Sequence, residues 1–138
     1  MTSYEKFMFF IPNRLYIVGK EIHVSFNVAV IPPDNTVTSA NLCIPLPERN
    51  SPLQMKVTGI ASGWDENWIQ YWKPEYDTKS ETFDVAPESP EGIVPVTHVM
   101  NDWRFRSLEN HGLYISLVTE EELDISGEKP PYLLVRMD

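Results

Sequence analysis

Twelve prolines in 138 residues, most of them standing between short apolar runs, set the tightest limit on how this chain folds. A proline inside a helix removes a backbone donor and clashes with the preceding turn, so long helices are excluded. The segments between the prolines read as strands. The clearest spans Ile22 to Val30, where Ile22, Val24, Phe26, Val28 and Val30 point one way and His23, Ser25, Asn27 and Ala29 the other, the period-two pattern of a half-buried strand. Ile31-Pro32-Pro33-Asp34-Asn35 ends it, because prolines cannot donate to a ladder and Asp-Asn favours a turn. A second strand is expected from Val37 to Ile44 with Thr38, Ala40, Leu42 and Ile44 inward, and a third from Met55 to Ile60. Phe83 and Val85 mark a short strand, and Pro130-Pro131 introduces the last, Tyr132 to Met137.

One stretch breaks the pattern. Val96, Val99, Met100 and Trp103 recur at helical spacing and predict one short helix over about 97–107, with the Thr97 hydroxyl as its N-terminal cap. Asn110 and Gly112 suit a tight turn, after which Leu113, Ile115 and Leu117 alternate with Tyr114 and Ser116 as another strand. The expected fold is all-β: an antiparallel β-sandwich or jelly roll with that helix capping an end. Residues 1–20 form an N-terminal apolar arm or edge strand, and residues 21–138 a single domain.

Composition narrows the function. A net charge of −9 and the lack of any Lys/Arg cluster disfavour nucleic acid. No segment is apolar enough for membrane insertion, and the run Phe7 to Ile11, stopped by Pro12, is too short for a secretion signal. With one cysteine, Cys43, no internal disulfide forms, and a buried inert thiol is expected.

Four segments together resemble the DNRLRE-type domain. Phe26 to Pro33 with Thr36 to Leu42 match its opening. Val57-Thr58-Gly59 followed by Gly63-Trp64-Asp65-Glu66 match its tryptophan-acid element. Val96 to Trp103 with Asn110-His111-Gly112-Leu113 match its helix and turn, and Pro130 to Val135 its closing strand. The match covers residues 22–137 in order. Growth-factor propeptides show a similar helix-to-strand pattern but lack the double-proline closing strand. The DNRLRE resemblance implies a β-jelly roll of the kind appended to secreted or surface proteins, with some related domains binding carbohydrate. Residues 1–20 depart from it, being short and apolar where that family has a longer polar strand.

Catalytic signals are sparse. His23, on the outer face of its strand, His98 in the helix and His111 in the turn have no metal or triad spacing. Asp65 and Glu66 are adjacent on a loop and so diverge, unlike the facing carboxylates of a glycosidase. No cofactor is implied; Asp65, Glu66 and Asp84 offer hard oxygen ligands for a structural calcium, without a dedicated loop pattern.

Binding signals are stronger. Trp64, Trp68, Tyr71, Trp72 and Tyr76 form a dense aromatic patch, on a long loop or a single helical turn, suited to sugar rings or protein partners. Tyr4, Phe7, Phe9 and Ile11 alternate along the N-terminal run and suit pairing with a neighbouring subunit. The leading expectation is a non-catalytic structural subunit at a cell or particle surface, self-assembling through sheet edges and this arm as a homo-oligomer. The alternative is a carbohydrate-binding module that takes polysaccharide on residues 64–76.

Overall fold

The structure, a computed structural model, describes residues 6–105 and 109–138. Nine strands and one helix follow in order: β1 Lys6–Phe10, β2 Arg14–Val18, β3 Glu21–Ser25, β4 Val37–Pro45, β5 Leu53–Ile60, β6 Tyr76–Val85, β7 Glu91–Pro95, α1 Thr97–Arg104, β8 Leu113–Val118 and β9 Tyr132–Met137. All pairings are antiparallel. Sheet one runs β1-β9-β4-β7 and sheet two β2-β3-β8-β5-β6. The fold is the expected all-β sandwich with one short helix.

Strand alternation builds the core between the sheets. Val24 and Ile22 on β3, Leu42 and Ile44 on β4, Leu53 and Met55 on β5, Ile115 on β8, and Leu133 and Val135 on β9 are all buried. Met100 and Trp103 of α1 join them, and α1 packs against β4, so the helix stripe plugs the sandwich as its spacing predicted. Gly112, before β8, has φ +89, and a Cβ there would lie 2.2 Å from the Val24 carbonyl oxygen. Only glycine fits.

Several local expectations are corrected. The strand read as Ile22 to Val30 ends at Ser25. Asn27 breaks it by accepting a hydrogen bond from the Ala29 amide, which starts a single 3-10 turn at Val28–Val30 and leaves Val30 exposed. On β4, Thr38 faces out instead of in, because a register shift between Val37 and Ser39 re-phases the alternation. Thr97 does not cap α1. Val96 holds that position without a side-chain bond, and the Thr97 hydroxyl instead accepts from the Ala40 amide at 2.9 Å. The helix ends at Arg104, and residues 106–107 of its expected span lie outside the described residues. Phe83 and Val85 belong to the end of a ten-residue strand, most of it polar.

Candidate functional site: an aromatic loop over a buried histidine

The loop between β5 and β6 is tied down at both ends and in its middle. At its base the Ala61 amide donates to the Glu75 carbonyl at 2.7 Å, and the Glu75 amide donates to Ser62 Oγ at 2.7 Å. Asp65 starts a tight helical turn. Its carboxylate accepts from the Asn67 amide, and its carbonyl accepts from Trp68 and Ile69. Trp64 Nε1 donates to the His111 carbonyl at 2.6 Å, which pins the loop to the turn before β8. Trp64 and Ile69 then bury themselves with Ile60 in a small second core on the outer face of sheet two.

That packing sorts the predicted aromatic residues into two sets. Trp64 is core, and Tyr76 is half-buried against it. Trp68, Tyr71 and Trp72 project to solvent with 56%, 69% and 70% of their surface exposed. Trp68 lies 5.5 Å from Trp72 and 6.4 Å from Tyr71 between ring centroids. Turns of the loop hold them in place, since Trp72 and Tyr71 both donate backbone bonds to the Trp68 carbonyl.

Beneath the loop lies His23, which does face outward from β3 but is covered. It stacks on Tyr114 at 4.7 Å and touches Trp64 and Tyr76 at 5.8 Å. Its Nε2 shares a 2.6 Å hydrogen bond with the Tyr76 hydroxyl, while its buried Nδ1 has no partner among the described residues. Burial pulls the imidazole from 6.5 down to about 4, with Lys73 adding to the fall and Glu21 opposing it. Burial, then the bond it donates to Glu21 at 2.5 Å, push the Tyr114 phenol up to about 12. Burial and then Glu21 raise Tyr76 as well. A cavity of about 140 Å³ opens beside this group, lined by Tyr16, Glu21, His23, Gln70 and Lys73 among others. Stacked and hydrogen-bonded in this way, the cluster makes a floor for the loop. Sequence reading missed it, although the outward phase of His23 and the need of an aromatic patch for a sheet to lie on were both visible.

The remaining candidates sit elsewhere. Glu66 accepts a bond from the Leu15 amide at 2.9 Å, and Asp84 accepts one from Gln54. Among the described residues no three His, Cys, Asp or Glu side chains come together as a metal site. His98 is exposed and pairs with Asp102 one helical turn on, while His111 pairs with Glu109. Cys43 is buried and free. No helix among the described residues is long and apolar enough to cross a membrane.

The N-terminal run pairs within its own chain. β1 lies along β9, with Phe9 opposite Leu134 and Phe7 opposite Arg136. Phe10 points into the core, and Phe7, Phe9 and Ile11 are exposed. Tyr4 lies outside the described residues. No protein-family model matches this chain, and no curated protein is significantly similar to it in sequence.

Proposed function

We propose that this protein is a non-catalytic binding module that takes a neutral carbohydrate on Trp68, Tyr71 and Trp72. One observation carries the reading: three large aromatic side chains stand clustered in solvent on a loop whose every anchor is satisfied. Large exposed aromatic groups cost solvation unless they meet a partner, and flat rings with polar tips suit the faces of pyranose rings. The resemblance to DNRLRE-type domains points the same way. Charge selects among glycans. Residues 64–76 hold Asp65, Glu66 and Glu75 against the single cation Lys73, so a polyanionic chain would be repelled and a neutral one admitted.

A glycan array followed by titration with neutral oligosaccharides tests this. Binding is expected, with Trp72→Ala abolishing it while the melting temperature holds, since the side chain is exposed. An array without binding, or one indifferent to Trp72→Ala, refutes the reading.

Self-assembly at a cell or particle surface is a second reading, favoured by the state of the sheet edges. Unpaired edges invite association unless guarded. β2 is guarded by the loop, through the bond from the Leu15 amide to Glu66. β6 carries the charged residues Asp77, Lys79 and Glu81 on its inward side, and β7 is short and ends in Pro95. The middle of β1 has no proline or acid, and its outward face bears Phe7 and Phe9, the latter 6.1 Å from Tyr132. Here the occupant of the free edge is a second copy of the chain. Sedimentation velocity should show a species larger than a monomer that Phe7→Lys with Phe9→Lys reduces to a monomer. A wild-type monomer at high concentration rules it out.

A further inference from the structure

Sheet two has five strands and sheet one has four, so the edge strand β6 has an inner face that sheet one does not fully cover. A cavity of about 200 Å³ lies there, between β5 and β6 on one side and β7 and α1 on the other. Val57, Phe83, Val94, Val96, Val99 and Leu113 form its apolar part, and Asp77, Lys79, Glu81 and His98 its polar part. Of the two carboxylates, Asp77 is the half-buried one.

The backbone is built to put it there. Thr58 pairs with Ser80 and Ile60 with Tyr76, so Gly59 alone stands opposite the three residues Asp77, Thr78 and Lys79. Such bulges re-aim a side chain. Here the bulge lays Asp77 across Gly59, on the inner face of the sheet. A Cβ on Gly59 would come within 2.1 Å of Asp77 Oδ2, so the glycine is what makes room for the carboxylate. Asp77 is half-buried, and no hydrogen bond or ion pair satisfies it among the described residues. Lys79 and Glu81 follow on the same side of β6 but are exposed, and His98 at the rim is turned to Asp102.

From this geometry we infer that the cavity between β6 and α1 binds an aliphatic primary ammonium group, its alkyl stem on the valine wall and its charge on Asp77. A half-buried, unpaired carboxylate gains most from a cation that also fills apolar space. The volume decides the size of the guest: it falls below the ~300–1,000 Å³ of sites for drug-sized ligands and fits one unbranched side chain. This inference stands apart from the carbohydrate reading, which concerns the opposite face of sheet two.

Methyl-detected NMR titration with n-butylammonium, n-butanol and N-acetyl-lysine methylamide tests it. Saturable shifts at Val57, Val94, Val96 and Leu113 are expected with butylammonium and not with butanol. Asp77→Asn should weaken binding about tenfold or more, and Lys79→Ala should not weaken it. The lysine derivative binding at least as well as butylammonium identifies a polypeptide side chain as the source, and weaker binding identifies a free amine. Equal binding of butanol, unchanged affinity in Asp77→Asn, or no saturable shift with either amine overturns the inference.

Discussion

Replacing His23 by Phe should remove a specific part of the acid sensitivity of this protein. The buried imidazole titrates at about 4 in the fold, against its ordinary 6.5. Below pH 6.5 the unfolded chain therefore takes up a proton that the folded chain refuses. Stability from this group is fully present above 6.5, falls as the pH drops towards 4, and is flat below. Each pH unit in that window is worth about 1.4 kcal/mol, and the whole interval has a ceiling of about 3 kcal/mol. The imidazole is only partly shielded, with a small cavity open beside the ring, and solvent screening there reduces the expected effect to roughly 2 kcal/mol. Urea denaturation of wild type and His23→Phe, followed from about pH 4 to about pH 8 at fixed ionic strength, isolates it. Ionisable groups that do not face the ring act alike in both proteins and cancel in the difference, which leaves His23 and its neighbour Glu21. Phe fits the aromatic surroundings, so the two curves should diverge only through that window, wild type losing more as acid is added. Parallel curves would refute the assignment, as would an NMR titration of the His23 ring with a midpoint near its ordinary value.

Three further substitutions test the scaffold. Gly112→Ala meets the Val24 carbonyl and a positive φ together, so it should cost at least about 2 kcal/mol in chemical denaturation. Trp64→Phe keeps an aromatic ring, though a smaller one, and loses the bond to the His111 carbonyl; a cost of at least about 1–3 kcal/mol and faster proteolysis within residues 65–75 are expected. Thr97→Val strands the buried Ala40 amide and should cost about 1–3 kcal/mol, whereas Thr97→Ser should be near neutral; equal losses would argue against that bond.

Alternation made the core strands legible, because a strand buried on one face must repeat every second residue. The sandwich, the helix stripe at Met100 and Trp103, and the glycine turn before β8 were all readable in this way. The failures share a cause: local hydrogen bonding or distant contacts overrode the repeat. Asn27 ended β3 through its own side chain, and the bulge at Val37–Ser39 re-phased β4. β6 hid because it is polar on both faces along most of its length, and such an edge strand carries little apolar alternation. Thr97 looked like a cap because a helix start and a strand amide offer a hydroxyl the same kind of bond. The outward phase of His23 was legible but its partners were not, since Tyr76 is 53 positions away and joins it only through the pairing of four strands.

The two sheets differ in what their outer faces carry, and the difference bears on binding. On sheet one the outward side chains of the edge strands, such as Phe9 and Ile93, are left exposed. On sheet two the chain spends Trp64, Ile69 and the bonds at Ala61 and Glu75 on holding a loop against His23, Tyr76 and Tyr114. A loop needed only to connect two strands would require none of this, because two to five residues suffice for a hairpin. The anchoring fixes Trp68, Tyr71 and Trp72 before any ligand arrives, which removes most of the ordering cost that flexible aromatic side chains would meet on binding. On the carbohydrate reading proposed above, loosening the floor should therefore weaken binding without touching the exposed rings. Ile69→Ala, remote from solvent, is expected to lower glycan affinity while leaving Trp68, Tyr71 and Trp72 intact, and undiminished affinity in that variant would show that the rigid floor contributes nothing to recognition.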